Sequence, residues 1–261
     1  MRAVKLLSKV RVCPMIKGFL RRYSCKQLVL IYQFGKVGST ALASSIEGAV
    51  NVHDLYGMVP CPCGLRYRFS LAYRFLGLPM DRFVRRLLLR RREKIDIIVP
   101  VREPWSRNLS MFFEDLAFWY VDYFSTRRAS KKVEGLALLK QVFLQSFEHE
   151  SADSWFQKEF CRFVGVRLDE IAFDKSQGFA VFEKGRYRCL LLTVDHLRSE
   201  GGGRTIEGFL GRSVRIIDEN RGEKKWYGGV YAELLSDSEF VDAYKKQMQG
   251  SVVQKTFFNT G

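Results

Sequence analysis

The apolar run Leu28-Val29-Leu30-Ile31-Tyr32-Gln33-Phe34 passes directly into Gly35-Lys36-Val37-Gly38-Ser39-Thr40 and then into a stretch rich in Ala, Ser, Leu and Ile. A buried strand, a glycine-bearing turn and a helix N-terminus in that order start a βαβ unit, and the turn is a nest of backbone N–H groups for a phosphate or sulfate. A second strand, Ile95-Asp96-Ile97-Ile98-Val99-Pro100-Val101, ends in Arg102, and Ser110 follows eight residues later. Two anion sites at the ends of two strands point to a ligand with anionic groups at both ends.

The rest of the chain fits a doubly wound α/β sheet flanked by helices. Residues 28–34 read as the first strand, 38–48 as its helix and 50–54 as a second short strand. Gly57 to Gly64 is loop, and helical periodicity returns over 66–75 and 81–92. In the second of these, Phe83, Val84, Leu87 and Leu88 make one face and Arg82, Arg85, Arg86 and Arg90 to Arg92 lie around it. The pattern predicts a helix that covers the sheet and leaves its charges in water. Pro104 favours a helix start after the 95–101 strand, and Trp105, Phe112, Phe113, Phe118, Trp119 and Tyr120 form an aromatic stripe over 105–124. Further helices are expected at 132–148 and 152–164, a buried strand at 188–194, a flexible break at Gly201 to Gly203 and a polar helix from Tyr227 to Met248.

Composition supports an anionic partner. The 261 residues carry a formal charge of +15, with 47% apolar residues, and no internal repeat interrupts them. No Asp or Glu precedes Glu47, whereas residues 1–26 hold eight Lys or Arg. The expected organisation is therefore a basic lead, 1–26, and one α/β domain, 27–261. The lead has neither the ~20 apolar residues of a membrane span nor the ~7–15 of a secretory signal. The cysteines, Cys13, Cys25, Cys61, Cys63, Cys161 and Cys189, lack zinc-site spacing and read as reduced thiols of a cytoplasmic protein. No metal is expected.

A nucleoside-triphosphatase loop would place glycine four positions before Gly-Lys-Ser/Thr, whereas Lys36 here precedes Val37-Gly38-Ser39-Thr40. The second strand delivers Arg102, a cation, where such an enzyme delivers a magnesium-binding Asp. An anion without a metal fits better.

Phe34 to Thr40 together with Val101-Arg102-Glu103-Pro104-Trp105-Ser106-Arg107-Asn108-Leu109-Ser110 resembles the two nucleotide motifs of the sulfotransferases. Within that superfamily the chain is similar to the putative capsular polysaccharide synthesis family with an Asn-Lys-Trp-Tyr-Ser signature. The likeness also includes Met111-Phe112-Phe113-Glu114, Phe173-Asp174-Lys175 with Gly178-Phe179, and Lys224-Lys225-Trp226-Tyr227, and runs over about residues 28–245. The signature here ends in Gly228 instead of Ser, and Asn51-Val52-His53 stands where related carbohydrate sulfotransferases often have two His. The resemblance implies a P-loop sulfotransferase-like fold and 3′-phosphoadenosine 5′-phosphosulfate as co-substrate.

It also implies roles. Lys36 bridges the sulfate and 5′-phosphate as the electrophilic group; Gly35 and Gly38 let the backbone approach; Val37, Gly38, Ser39 and Thr40 donate their amides. Arg102 forks onto the 3′-phosphate with the Ser110 hydroxyl, and Arg107 either joins them or lies on the surface. His53, ending the second strand beside the first loop, is the candidate general base. Asp54 is its neighbour, but alternation along a strand turns the two apart. His149 and His196 read as structural. Trp226 either stacks on adenine, with Lys225 near the 3′-phosphate, or anchors its helix to the core. The acceptor, a carbohydrate or glycolipid hydroxyl, is expected to meet the Gly57–Tyr67 loop and the aromatic segment around Trp119. The basic lead suits peripheral contact with an anionic inner membrane face. No specific nucleic acid is expected. Two other readings stay open: a nucleotide-binding relative without activity and a basic polyanion-binding module.

Overall fold

The computed structural model describes residues 23, 25, 27–58, 78–126, 135–216 and 225–259. The basic lead up to residue 22, the helix expected at 66–75, most of the Gly57–Tyr67 loop, Cys13, Cys61, Cys63 and Lys224 lie outside them.

Five strands form one sheet: β1 (Val29–Tyr32), β2 (Ala49–Val52), β3 (Ile95–Val101), β4 (Phe179–Lys184) and β5 (Tyr187–Thr193), in the order β2-β1-β3-β5-β4. The first four in that order run parallel, with Tyr32 beside Val52, Ile31 beside Ile98 and Val101 beside Thr193. β1 is buried at every position, as a strand covered on both faces must be. The expected all-parallel sheet needs one correction, because β4 is antiparallel to β5. Only two residues, Gly185-Arg186, separate these strands, and so short a turn permits no parallel crossover.

The helices are α1 (Ser39–Ser45), α2 (Leu78–Arg90), α3 (Pro104–Glu114), α4 (Leu116–Thr126), α5 (Gly135–Ser146), α6 (Ser151–Trp155), α7 (Val194–Arg198), α8 (Glu200–Leu210), α9 (Gly228–Ser236), α10 (Ser238–Met248) and α11 (Val252–Phe257). α6 runs on through a π-helical turn, Phe156–Cys161, and a last turn, Arg162–Val164. Leu30, Tyr32, Ile97, Val99 and Leu191 on one sheet face pack with Trp155, Phe156, Phe160 and Phe257. On the other face Val29, Ile31, Ile98, Leu190 and Leu192 meet Leu42 of α1 and Ile206 and Phe209 of α8. A third core joins α3, α4, α5, α9 and α10 through Phe112, Phe113, Trp119, Phe143, Leu234 and Tyr244. Among the described residues no helix is long and apolar enough to cross a membrane.

Three expected elements differ. Gly201 to Gly203 is no break: it lies inside α8, capped by Ser199, whose hydroxyl accepts from the Gly201 amide at 3.2 Å. A side chain at Gly202 would lie 2.5 Å from the Leu197 carbonyl, so this glycine lets α8 turn tightly off α7. The helix expected from Tyr227 to Met248 is two, divided at Asp237, whose carboxylate accepts from the Phe240 amide at 3.0 Å to cap α10. The α2 helix departs in part: Leu88 packs on the sheet core and Arg90 and Arg91 are exposed as expected, but Phe83 and Leu87 are exposed and Arg82, Arg85 and Arg86 reach protein partners.

Candidate functional site

The parallel strands β1, β2, β3 and β5 present their carboxyl ends at one edge, and β1, flanked by β2 and β3, is where the chain order reverses. A crevice at that point is the general ligand position of open α/β sheets. The residues singled out from the sequence gather there.

The turn after β1 holds Gly35, Lys36 and Gly38 at φ of 85°, 62° and 75°. Among the described residues Lys36 is the one non-glycine residue at positive φ, a conformation that costs about 1–2 kcal/mol. Three side chains hold it. Gln33 accepts from the Gly35 amide at 2.5 Å, Arg107 donates to the Phe34 carbonyl at 3.0 Å, and Arg102 donates to the Lys36 carbonyl at 3.2 Å. Val37 is tucked into protein, at 2% exposure. With carbonyls turned to arginines, the following amides open α1, whose first N–H groups have no partner one turn back. Ser39 is buried in that turn and Thr40 is exposed.

Arg107 is the clearest resolution of an open alternative. It is buried, with its guanidinium 3.5 Å above the Phe34 ring, and it also donates to Asn108 Oδ1 and Ser151 Oγ at 3.1 and 3.3 Å. Burial pulls its pKa well below the ordinary guanidinium range. It shapes the turn from behind and does not lie on the surface.

Arg102 ends β3 and directs Nε and Nη2 to Ser106 Oγ at 3.0 and 2.8 Å. Ser110, its expected partner, lies one turn beyond Ser106 on α3, half-buried. Burial lowers the Arg102 pKa, and Tyr231, Arg198 and Asp195 are near enough to act on its charge.

Lys36 extends from the turn to Glu114 at the end of α3, Nζ to Oε2 at 2.9 Å. The same oxygen takes Lys225 Nζ and, at 2.8 Å, the Tyr227 hydroxyl. Although burial opposes its charge, hydrogen bonds from Lys225, Lys36 and Tyr227 hold the Glu114 carboxyl down at about 2. Burial lowers the Lys36 ammonium despite Glu114, and burial followed by the Glu114 bond pushes Tyr227 up to about 12. Lys225 and Lys36 thus meet on one carboxylate, whereas the expected site put Lys225 near the 3′-phosphate and Lys36 between sulfate and 5′-phosphate. Trp226 does not anchor its helix: it is 80% exposed, and Tyr227, at 5%, packs 5.6 Å from Phe113 in its place.

His53 lies just past β2, its ring nitrogens 2.9 and 3.1 Å from Gln33 Nε2. One glutamine therefore touches both the turn and the imidazole. The surrounding protein disfavours the charged ring and lowers its pKa, Asp54 acting in the opposite sense. Asp54 itself is taken by Arg82, at 2.5 and 3.0 Å, so it does not orient the ring. Asn51 Nδ2 instead reaches the Ser39 carbonyl at 3.5 Å. His149 bonds Tyr244 at 2.8 Å, and His196, on α7 just after β5, bonds Thr205 at 2.8 Å.

The turn that follows His53 is fixed by Glu159, a fully buried carboxylate on the π-helical turn. It accepts from the amides of Leu55, Tyr56 and Met58 at 2.7, 3.0 and 2.7 Å and from the Tyr32 hydroxyl at 2.6 Å. Trp155 Nε1 donates to the His53 carbonyl at 2.6 Å. Glu159 and Gln33 carry no role in the sequence reading; Ser106, Tyr227 and Glu114 stand in its motif stretches without one. The available signal for Glu159 was an acid amid Trp155, Phe156, Phe160 and Phe163.

Burial pushes the thiols of Cys161 and Cys189 up to about 11 and about 12, which makes neither a nucleophile at neutral pH. Along with Cys25 they are free.

No curated protein sequence and no solved structure matches the chain. The family model described as "Putative capsular polysaccharide synthesis protein" matches residues 130–250, a span that holds Lys225, Trp226 and Tyr227 but not the β1 turn, His53, Arg102 or Glu114.

Proposed function

We propose that this chain transfers a sulfuryl group from 3′-phosphoadenosine 5′-phosphosulfate to a carbohydrate hydroxyl during synthesis of a capsular polysaccharide or related glycan. The observation that carries the reading is the convergence of Lys36 and Lys225 on one carboxylate beside a turn with Gly35, Lys36 and Gly38 at positive φ. Arg102 stands at the end of the neighbouring strand. The arrangement already binds an anionic group, that of Glu114, and this donor set suits phosphate and sulfate oxygens.

Lys36 and the amides of Val37 to Thr40 would hold the 5′-phosphosulfate. Arg102 would pair with the 3′-phosphate, assisted by Ser110, and Trp226 offers an exposed ring for the adenine. His53 takes the acceptor proton as the acceptor oxygen bonds to sulfur. The bond from sulfur to the bridging oxygen breaks, its electron pair leaves on the 5′-phosphate, and Lys36 balances that charge. Gln33 keeps the base and the turn in register.

The test is transfer of radiolabelled sulfur from this donor to polysaccharide acceptors, with Lys36→Ala as control. Label in the acceptor, abolished by the substitution, supports the reading; absence of transfer to every acceptor despite tight nucleotide binding leaves a binding relative. A polyanion-binding module would instead lose about 10³–10⁵ in polysaccharide affinity between 50 and 200 mM salt.

A further inference from the structure

Helix α2 sets Leu88 and Leu89 against the sheet core but turns arginines inward beside them. Its arginines at 82, 85 and 86 face protein: Arg82 bonds Asp54, Arg85 bonds Asp81 at 2.7 Å and Tyr23 at 3.3 Å, and Arg86 bonds the Leu55 carbonyl at 3.1 Å. Met80, Phe83 and Leu87, spaced three and four apart on one face, are 60%, 54% and 40% exposed. Such a helix carries a second apolar stripe, Met80, Phe83 and Leu87, beyond the one it packs on the core, and an exposed stripe of this kind marks an interaction surface.

The surrounding charge identifies the occupant. Arg90 and Arg91 are exposed at the C-terminal end of the stripe, with Lys94 and Glu93 next to them. Tyr23 is tied to this helix: its carbonyl accepts from Arg92 at 2.8 Å, and the Cys25 carbonyl accepts from the same guanidinium. The chain before Tyr23 holds seven Lys or Arg and no acid, and it joins the fold at this helix. An apolar stripe bordered by cations is the composition of an interfacial helix on an anionic bilayer. Nucleic acid or an acidic glycan would use the cations but not the stripe.

We infer that α2 docks this protein on an anionic lipid surface, with Met80, Phe83 and Leu87 entering the head-group boundary and Arg90 and Arg91 pairing with lipid phosphates. The inference does not depend on sulfuryl transfer, and its test reads binding alone.

The experiment is co-sedimentation of the full chain with phosphatidylcholine vesicles and with vesicles in which part of that lipid is phosphatidylglycerol. The expected result is binding to the anionic vesicles only, weakened by about tenfold or more in the Phe83→Gln/Leu87→Gln variant. Val121→Gln, an equally exposed apolar residue on α4, should leave binding unchanged. Phe83→Gln alone, checked for cooperative unfolding, guards against a folding defect and should give a smaller loss. Undiminished binding by these variants, with loss on removing residues 1–22, would show that the lead acts alone and overturn the inference. So would no vesicle binding, or a stripe variant that changes oligomeric state but not sedimentation, which would assign the stripe to a second copy of the chain.

Discussion

At the scale of single residues, the site is a competition among charges for a few donors. Glu114 engages Lys36, Lys225 and Tyr227. An incoming phosphate or sulfate must share Lys36 and Lys225 with this carboxylate. Glu114→Gln should therefore tighten 3′-phosphoadenosine 5′-phosphate binding several-fold at neutral pH, and adding Lys36→Ala should abolish it, both read by calorimetry. His53 gives a second expectation: its lowered pKa keeps the ring neutral at pH 7, so turnover should rise through a midpoint below 6.5 and then stay flat. His53→Gln should reduce kcat by about 10²–10⁴ with little change in KM for the nucleotide. The types and positions of Lys36, Arg102 and His53 were legible because each lies at a strand end. Arg107 was not, since the sequence does not tell a buried guanidinium from an exposed one, and it is buried here against the Phe34 ring. Removing it with Arg107→Ala should cost about 1–3 kcal/mol for each polar group left unsatisfied, in chemical denaturation.

The elements divide by how local their causes are. β1, β3 and α3 could be read directly, since continuous apolar runs and Pro104 specify them without distant help. The two-residue hairpin that makes β4 antiparallel was missed, because Phe179 to Lys184 is short and only partly apolar. α2 departs from its periodicity at Phe83, Leu87 and the arginines at 82, 85 and 86. Its periodicity is genuine, but Asp54, Tyr23 and the Leu55 carbonyl supply partners for the arginines from segments far away in sequence. The π-helical turn Phe156–Cys161 has the same character: it brings Glu159 to the amides of Leu55, Tyr56 and Met58, about a hundred residues earlier. Glu159→Gln replaces one acceptor oxygen by a donor facing those amides. It should destabilise the fold by about 1–3 kcal/mol, and hydrogen exchange of the Leu55 and Met58 amides should quicken.

For the whole molecule, proton linkage below neutrality runs in one direction. His53, His149 and His196 all have pKa values lowered from 6.5, with burial the largest cause for each. The unfolded chain therefore binds more protons than the folded chain as pH falls below about 6.5, and stability declines through that window. Glu114 adds a later loss: its stabilisation is present above 4.5 and disappears as pH falls toward about 2. Thermal denaturation across pH should show a plateau near neutrality and a two-part acid decline, the lower part reduced in Glu114→Gln but kept in part by Asp174, Glu207 and Asp237, whose carboxyls are also lowered. In the proposed function, the sheet, its two helical faces and the cationic groups at one edge together hold a doubly anionic nucleotide. That claim is tested most directly by calorimetric titration with 3′-phosphoadenosine 5′-phosphate, beside ATP with magnesium, on the intact chain and on Lys36→Ala and Arg102→Ala. Micromolar binding of the bisphosphate, in preference to ATP and lost in both variants, is the expected result; no binding by the intact chain, or binding that survives both substitutions, would contradict it.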